Sequence, residues 1–283
     1  MEVKIVVQII KGMDVIQPIK QVIIQSIENG IKPCLGIIRI GNRSSEISYE
    51  KSVIKQLQPL GIVVESIVLP EDVTQEMFDQ TFDDVNQNSS INGILLLKPL
   101  PQHLSIDYVE KNIDPLKDVD CIGNVNMSKL YKDGKKGFLP CTAEAVLEIL
   151  EHINFDLVGK KVALVGFGMV IGRPAAHLLV ERGATVTICH KDTKDLVKEC
   201  IDADLIIVAT GVIGLISSQH VKPGAVIVDV GINVDENGKL CGDVCYDAVQ
   251  SVAGYITPVP GGVGTVTTYT LAKHTLNACI MQK

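Results

Sequence analysis

The sequence predicts an α/β chain whose second half holds a parallel sheet covered by helices, its first strand and turn opening at Val162–Gly172. Three observations carry this. Short runs that are apolar on both faces, such as Lys161–Val165 and Asp204–Ala209, alternate with helix-patterned segments, as expected of parallel strands covered by helices on both sides. The first of these runs leads directly into Gly166-Phe167-Gly168-Met169-Val170-Ile171-Gly172 and then a helix. A chain of 283 residues, 46% hydrophobic and 21% charged, has the material for a large core and not the composition of a disordered one.

The first half alternates in its own right. Asp14–Gly30 reads as a helix stopped by Gly30, and Pro33–Ile40 as a strand. Ser44–Leu60 reads as a helix with Gly61 just past its end, followed by the strand Ile62–Val68. Gln75–Asn86 is helical, Gly93–Leu97 is a strand ending at Pro99-Leu100-Pro101, and Thr142–Ile153 is a helix opened by a capping threonine. In the second half the strand Lys161–Val165 is followed by the helix Arg173–Arg182, closed by Gly183. The strand Ala184–Cys189 comes next, then the helix Thr193–Cys200. Asp204–Ala209, Ala225–Val230 and Tyr255–Thr257 are further strands, each bounded by glycine or proline, and Thr265–Ala278 is a closing helix.

Composition excludes several classes of function. Lys and Arg total 26 against 33 Asp and Glu, a net charge of −7, which argues against nucleic acid as a partner. The N-terminal segment lacks the apolar core and cleavage site of a signal peptide. No apolar run reaches the roughly 18–20 residues of a membrane span, so a cytoplasmic protein without a membrane partner is expected. The eight cysteines show no zinc spacing, and no metal is expected; they read as reduced, partly buried thiols.

Strand, glycine loop and helix together meet the demands of a pyrophosphate site: close backbone approach, and free N–H groups at a helix N-terminus. The spacing here is G-x-G-x-x-x-G, one residue longer than the usual fingerprint. Cofactor choice is read at the tip of the next strand, where an acid selects NAD. That tip is Cys189-His190-Lys191-Asp192. Lys191 suits the extra phosphate of NADP and Asp192 keeps NAD open. Both charges are equally compatible with a solvated loop, so NADP or NAD stays undecided.

In this order of elements the chain resembles the methylenetetrahydrofolate dehydrogenase/cyclohydrolase family over nearly its whole length. The match is carried by Ile256-Thr257-Pro258-Val259-Pro260-Gly261-Gly262-Val263-Gly264, with Lys117-Asp118-Val119-Asp120, Pro140-Cys141-Thr142, Gly159-Lys160-Lys161, Val170-Ile171-Gly172-Arg173-Pro174 and Val228-Asp229-Val230-Gly231-Ile232-Asn233. The resemblance implies an N-terminal three-layer α/β folate-binding domain (1–141 plus 265–283) closed by the C-terminal helix, and a Rossmann domain (142–264). It implies a homodimer that oxidises 5,10-methylenetetrahydrofolate to the methenyl form with NAD(P), many members then hydrolysing the product to 10-formyltetrahydrofolate. It places Tyr49, Asp120, Pro258, Gly261 and Gly262 at the folate. It places Gly166, Phe167, Gly168, Gly172, His190, Lys191, Thr210 and Ile232 at the cofactor.

The two reactions make different demands. The oxidation needs chiefly a well-positioned C–H bond, whereas the hydrolysis needs managed proton transfers. The chain departs from the family in the second. The family motif is Y-x-x-x-K; Tyr49 matches, but the lysine position, on the same helix face by i,i+4 spacing, is Val53. The glutamine that supports that lysine is Leu97, followed by Lys98, and the usual serine is Glu46. This reads as a lost or weakened cyclohydrolase. The competing reading lets Lys98 supply the amine, and ranks lower because neighbouring strand residues face opposite ways. In the cofactor loop Phe167 stands where the family has an arginine that grips the 2′-phosphate. Two further readings compete: a folate- or dinucleotide-binding module without catalysis, and an amino-acid dehydrogenase with a Lys98–Asp120 pair.

Overall fold

The structure, a computed structural model, describes residues 6–133 and 137–283. A short strand β1 (Gln8–Ile9) leads into a single turn α1 (Gly12–Val15) and the helix α2 (Gln17–Glu28). The helix expected over Asp14–Gly30 is thus divided at Ile16, and Pro18 sits in the first turn of α2, where a missing N–H is tolerated. β2 (Cys34–Ile40), α3 (Ser44–Leu57), β3 (Val63–Leu69), α4 (Gln75–Gln87) and β4 (Gly93–Leu96) lie close to their expected spans. Two short polar helices then follow that the sequence reading does not contain, α5 (Asp107–Asn112) and α6 (Asn124–Asp133).

After α7 (Cys141–His152) come β5 (Lys161–Val165), α8 (Gly172–Glu181), β6 (Thr185–Cys189), α9 (Leu196–Cys200), β7 (Leu205–Val208) and β8 (Val226–Asp229). α9 starts three residues later than expected because Asp195 caps it, accepting the Lys198 N–H at 3.1 Å. A small hairpin of β9 (Asn233–Val234) and β10 (Leu240–Cys241), a turn α10 (Tyr246–Val249), β11 (Tyr255–Ile256) and the long helix α11 (Val263–Met281) complete the chain.

The chain forms two compact units. One joins residues 6–17 with Thr142–Thr267. Its sheet is parallel throughout, in the order β1-β11-β8-β7-β5-β6. Ala163, Ile206, Val208, Ile227 and Ile256 form its core with Cys189 and Cys200. The other unit joins Pro18–Cys141 with Thr268–Lys283 around a parallel sheet ordered β3-β2-β4. The central β2 is buried along its whole length, as befits a strand covered on both faces. Phe78 and Phe82 of α4 are fully buried here beside Ile38, Ile94 and Leu96, each contributing on the order of 2–3 kcal/mol.

The sequence reading assigned residues 1–141 to the folate domain; the compact unit around the three-stranded sheet begins at Pro18. β1 pairs in parallel with β11, Gln8 opposite Tyr255 and Ile9 opposite Ile256. The Gly12 N–H donates to the Gly261 carbonyl at 2.8 Å, and a Cβ on Gly12 would run into the Gly262 carbonyl. These contacts bind the segment to the six-stranded sheet. All eight cysteines are free, six of them buried.

Candidate functional site

Tyr49, Asp120 and Lys98 come together in the smaller-sheet unit. Tyr49 is the sixth residue of α3, and Asp120 ends the turn after α5. Lys98 follows β4, which stops at Leu96. Burial raises the Asp120 carboxyl, and it is opposed by the Cys141 N–H, which donates to Oδ1 at 3.2 Å, and by the Lys98 cation. Burial and the charge of Asp120 both raise the Tyr49 phenol, so it stays protonated at neutral pH. The residue nevertheless keeps 36% of its surface exposed, as a residue that meets a ligand requires.

The neighbouring Asp118 has the turn-forming role. Its Oδ1 accepts the Ile122 N–H at 2.7 Å, and its Oδ2 accepts from Gly123 N–H and Asn126 Nδ2 at 3.0 Å each. That leaves Asp120 as the aspartate of the pair that faces Tyr49 and Lys98. Sequence reasoning missed His274, buried in α11. Its Nδ1 lies 2.8 Å from the Val119 carbonyl and its charged form favours ionised Asp120. α11 also carries five threonines, Tyr269, Lys273 and Asn277, so nothing in the residue pattern singles the histidine out.

The inward face of α3 carries Glu46, Glu50, Val53 and Leu57. Val53 is 0% exposed and Leu97 is 5% exposed, so no amine or amide stands at either position. Lys51 and Lys55 face solvent. Lys98 is exposed and lies outside the strand. The alternation used to rank it low therefore does not apply, and its charge acts on Asp120. The two glutamates are paired. Arg39 Nε donates to Glu50 Oε2 at 2.6 Å, both side chains buried. Arg43 donates to Glu46 Oε1 at 3.2 Å and to the Pro99 carbonyl at 2.5 Å, tying α3 to the Lys98–Pro99 segment.

The glycine loop in the larger-sheet unit fits a dinucleotide. A Cβ on Gly172 would overlap the Gly166 carbonyl and Phe167 Cα, and one on Gly166, at φ +108°, would overlap the Ala209 carbonyl. A Cβ on Gly168 would meet nothing within 4 Å. Two glycines thus let the turn close on itself and the third leaves open space at the N-terminus of α8. His190 and Lys191 follow β6, with the His190 ring turned back to its own loop: Nδ1 accepts the Asp192 N–H at 3.3 Å.

Thr210 and Ile232 follow β7 and β8. Two buried carboxylates knit these loops together. Asp243 Oδ2 accepts from Thr210 N–H at 2.6 Å and from Thr210 Oγ1 and Gly211 N–H at 2.9 Å each, while Oδ1 accepts from Asn233 Nδ2 at 2.8 Å. Asp229 accepts from Gly231, Asp243 and Val244 N–H at 3.0–3.1 Å. Burial raises its carboxyl to about 6 despite those bonds. Ile232 itself is 65% exposed. Pro258, Gly261 and Gly262 follow β11 in this same unit, with Gly261 at φ +96°.

Comparison with known proteins agrees with both halves. Residues 10–120 match the family model for the tetrahydrofolate dehydrogenase/cyclohydrolase catalytic domain, and residues 140–283 match that for its NAD(P)-binding domain. Bifunctional protein FolD of Clostridioides difficile is 47% identical over 279 residues, 97% of either chain. The crystal structure of bifunctional FolD from Campylobacter jejuni superposes with a TM-score of 0.94 at 37% identity, covering 98% of this chain and 100% of that one. The Trypanosoma brucei FolD structure, complexed with NADP cofactor and inhibitor, gives 0.91 at 33% identity, with 97% and 98% covered.

Proposed function

Since the chain belongs to the tetrahydrofolate dehydrogenase/cyclohydrolase family and carries its NAD(P)-binding domain, we propose that it oxidises 5,10-methylenetetrahydrofolate to the methenyl form and that its hydrolysis of that product is weak or lost. The matched relatives are named bifunctional, which by itself would give this chain both activities. The observation that favours the narrower reading is the apolar pair Val53 and Leu97 beside an otherwise polar Tyr49–Asp120–Lys98 group.

In this reading Gly166, Gly168, Gly172, Phe167, His190, Lys191, Thr210 and Ile232 hold the dinucleotide, which supplies the hydride acceptor. Asp120 accepts hydrogen bonds from the donor-rich edge of the pterin, a role suited to a carboxylate. Tyr49, partly exposed, flanks the folate. The oxidation leaves a cation stabilised by two flanking nitrogen atoms, so orienting the C–H bond is most of what these residues must do. Hydrolysis adds water to that cation and needs a group to take and return protons. Val53 cannot do so, and among the described residues Lys98 is the amine whose charge acts on Asp120. The active species is a homodimer, following the family.

Purified protein assayed for both reactions, each with NAD and NADP, tests this. Dehydrogenase turnover well above methenyl hydrolysis is expected; comparable rates overturn the loss, and Lys98→Ala then shows whether Lys98 carries the hydrolysis. Tight dinucleotide binding with no oxidation would mean a binding module instead.

A further inference from the structure

We propose that Arg173, whose guanidinium lies over the ring of Phe167, selects NADP over NAD in this chain; the proposal rests on the dinucleotide reading above. β5 and β6 are neighbours, with Val165 opposite Cys189, and the Gly166 N–H donates to the Cys189 carbonyl at 2.9 Å. The start of the glycine loop therefore lies beside the tip of β6, where a Rossmann crossover receives the adenosine ribose. An acid that would grip both ribose hydroxyls is missing from the strand end, which reads Cys189-His190-Lys191. The nearest carboxylate, Asp192, lies 3.7 Å from His190 Nδ1.

Arg173 is the second residue of α8, and its Cζ lies 5.3 Å from the Phe167 ring centroid. Among the described residues no carboxylate lies within ion-pair distance of Arg173. Phe167 is 41% exposed, so its ring and the cation beside it are open to a ligand. This cation–π contact holds the guanidinium beside the glycine loop, and a planar guanidinium held there suits bidentate bonding to a phosphate. Gly168 next to it leaves open space, and Lys191 adds a second exposed cation on the adjoining strand tip. A ribose 2′-phosphate gains both charges; a ribose hydroxyl gains neither.

The competing role for Arg173 is to hold the pyrophosphate, which NAD and NADP share, and the two roles separate in one experiment. Binding of 2′-phospho-ADP-ribose and of ADP-ribose is measured by calorimetry on the full chain, for the unaltered protein, Arg173→Ala and Phe167→Ala, alongside kcat/KM with NADP and NAD. The phosphorylated fragment should bind at least about tenfold tighter to the unaltered protein, and Arg173→Ala should remove most of that advantage, with a several-fold smaller loss for ADP-ribose. Phe167→Ala should reduce the advantage less. Equal losses for both fragments overturn the proposal in favour of pyrophosphate binding, and equal or better binding of ADP-ribose by the unaltered protein overturns it in favour of NAD. Failure of both fragments to bind the unaltered protein refutes the dinucleotide site itself.

Discussion

Replacing Asp243 by alanine removes a carboxylate that four donors share: Thr210 N–H, Thr210 Oγ1, Gly211 N–H and Asn233 Nδ2, at 2.6–2.9 Å. The residue is 0% exposed. Hydrogen bonds to a charged acceptor are worth about 1.5–3 kcal/mol each, but the donors do not all lose their full value. Thr210 and Gly211 lie in a partly exposed loop where water can replace the acceptor, and the charge of Asp243 itself pushes up the carboxyl of Asp229. Weighing these, the loss should be about 3–5 kcal/mol, as for other broken buried charge networks. Asp243→Asn should be milder, about 1–2 kcal/mol, because the asparagine oxygen can face Thr210 while Asn233 flips to accept from the new amide. The chain has no tryptophan, so denaturant unfolding is best followed by circular dichroism, with dinucleotide titrated in parallel. A loss below about 1 kcal/mol for the alanine variant would refute the account of the network. Unchanged dinucleotide affinity would refute the idea that Asp243 positions Thr210 and Ile232 for the cofactor.

Three other perturbations follow from the structure. Glu50→Ala strands the buried Arg39 guanidinium and should destabilise by about 3–5 kcal/mol in thermal melts, whereas Arg39→Met combined with Glu50→Leu should be far less harmful; equal losses would count against the buried pair. Burial raises Asp118 and Asp229 from 3.8 to about 6. Each therefore binds its proton more tightly in the folded state and adds stability as pH falls through about 6 toward the unfolded value, roughly 1 kcal/mol per residue between pH 7 and pH 5. Asp118→Asn should lack its share of that gain, and an identical pH profile for variant and parent would be the wrong result. Gly172→Ala forces a methyl against the Gly166 carbonyl and should weaken dinucleotide binding by more than about tenfold, which equilibrium titration reads directly.

What could be read in the sequence follows from how local each signal is. The β5–loop–α8–β6 crossover announces itself because its strands, glycines and helix are contiguous, and α9 was misplaced only by the cap at Asp195. β1 was missed because it is two residues long and is a strand only by virtue of Tyr255–Ile256, which lie at the far end of the chain. β9–β10 had a visible cue in Asn237-Gly238, the turn dipeptide of a hairpin. At the candidate site, Tyr49 and Asp120 were legible through the family motifs, and Val53 and Leu97 through their departure from them. The buried Arg39–Glu50 pair was not, although an arginine inside Cys34–Ile40 is the kind of residue that demands a partner. The way Lys98 meets Asp120 depends on where β4 stops, a boundary that propensity does not resolve.

The pairing of β1 with β11 bears on how far this protein is modular. A cassette excised as residues 142–267 would carry every element of the cofactor crossover and still lack one strand of its sheet. β11 would then become a bare edge, its unpaired backbone groups a template for association with other chains. Exchange of cofactor domains between relatives, whether by recombination or at the bench, must transplant two separate stretches of sequence together. The segment around Gln8–Gly12 and the loop at Gly261–Gly262 touch backbone to backbone, so the two have to be matched as a pair.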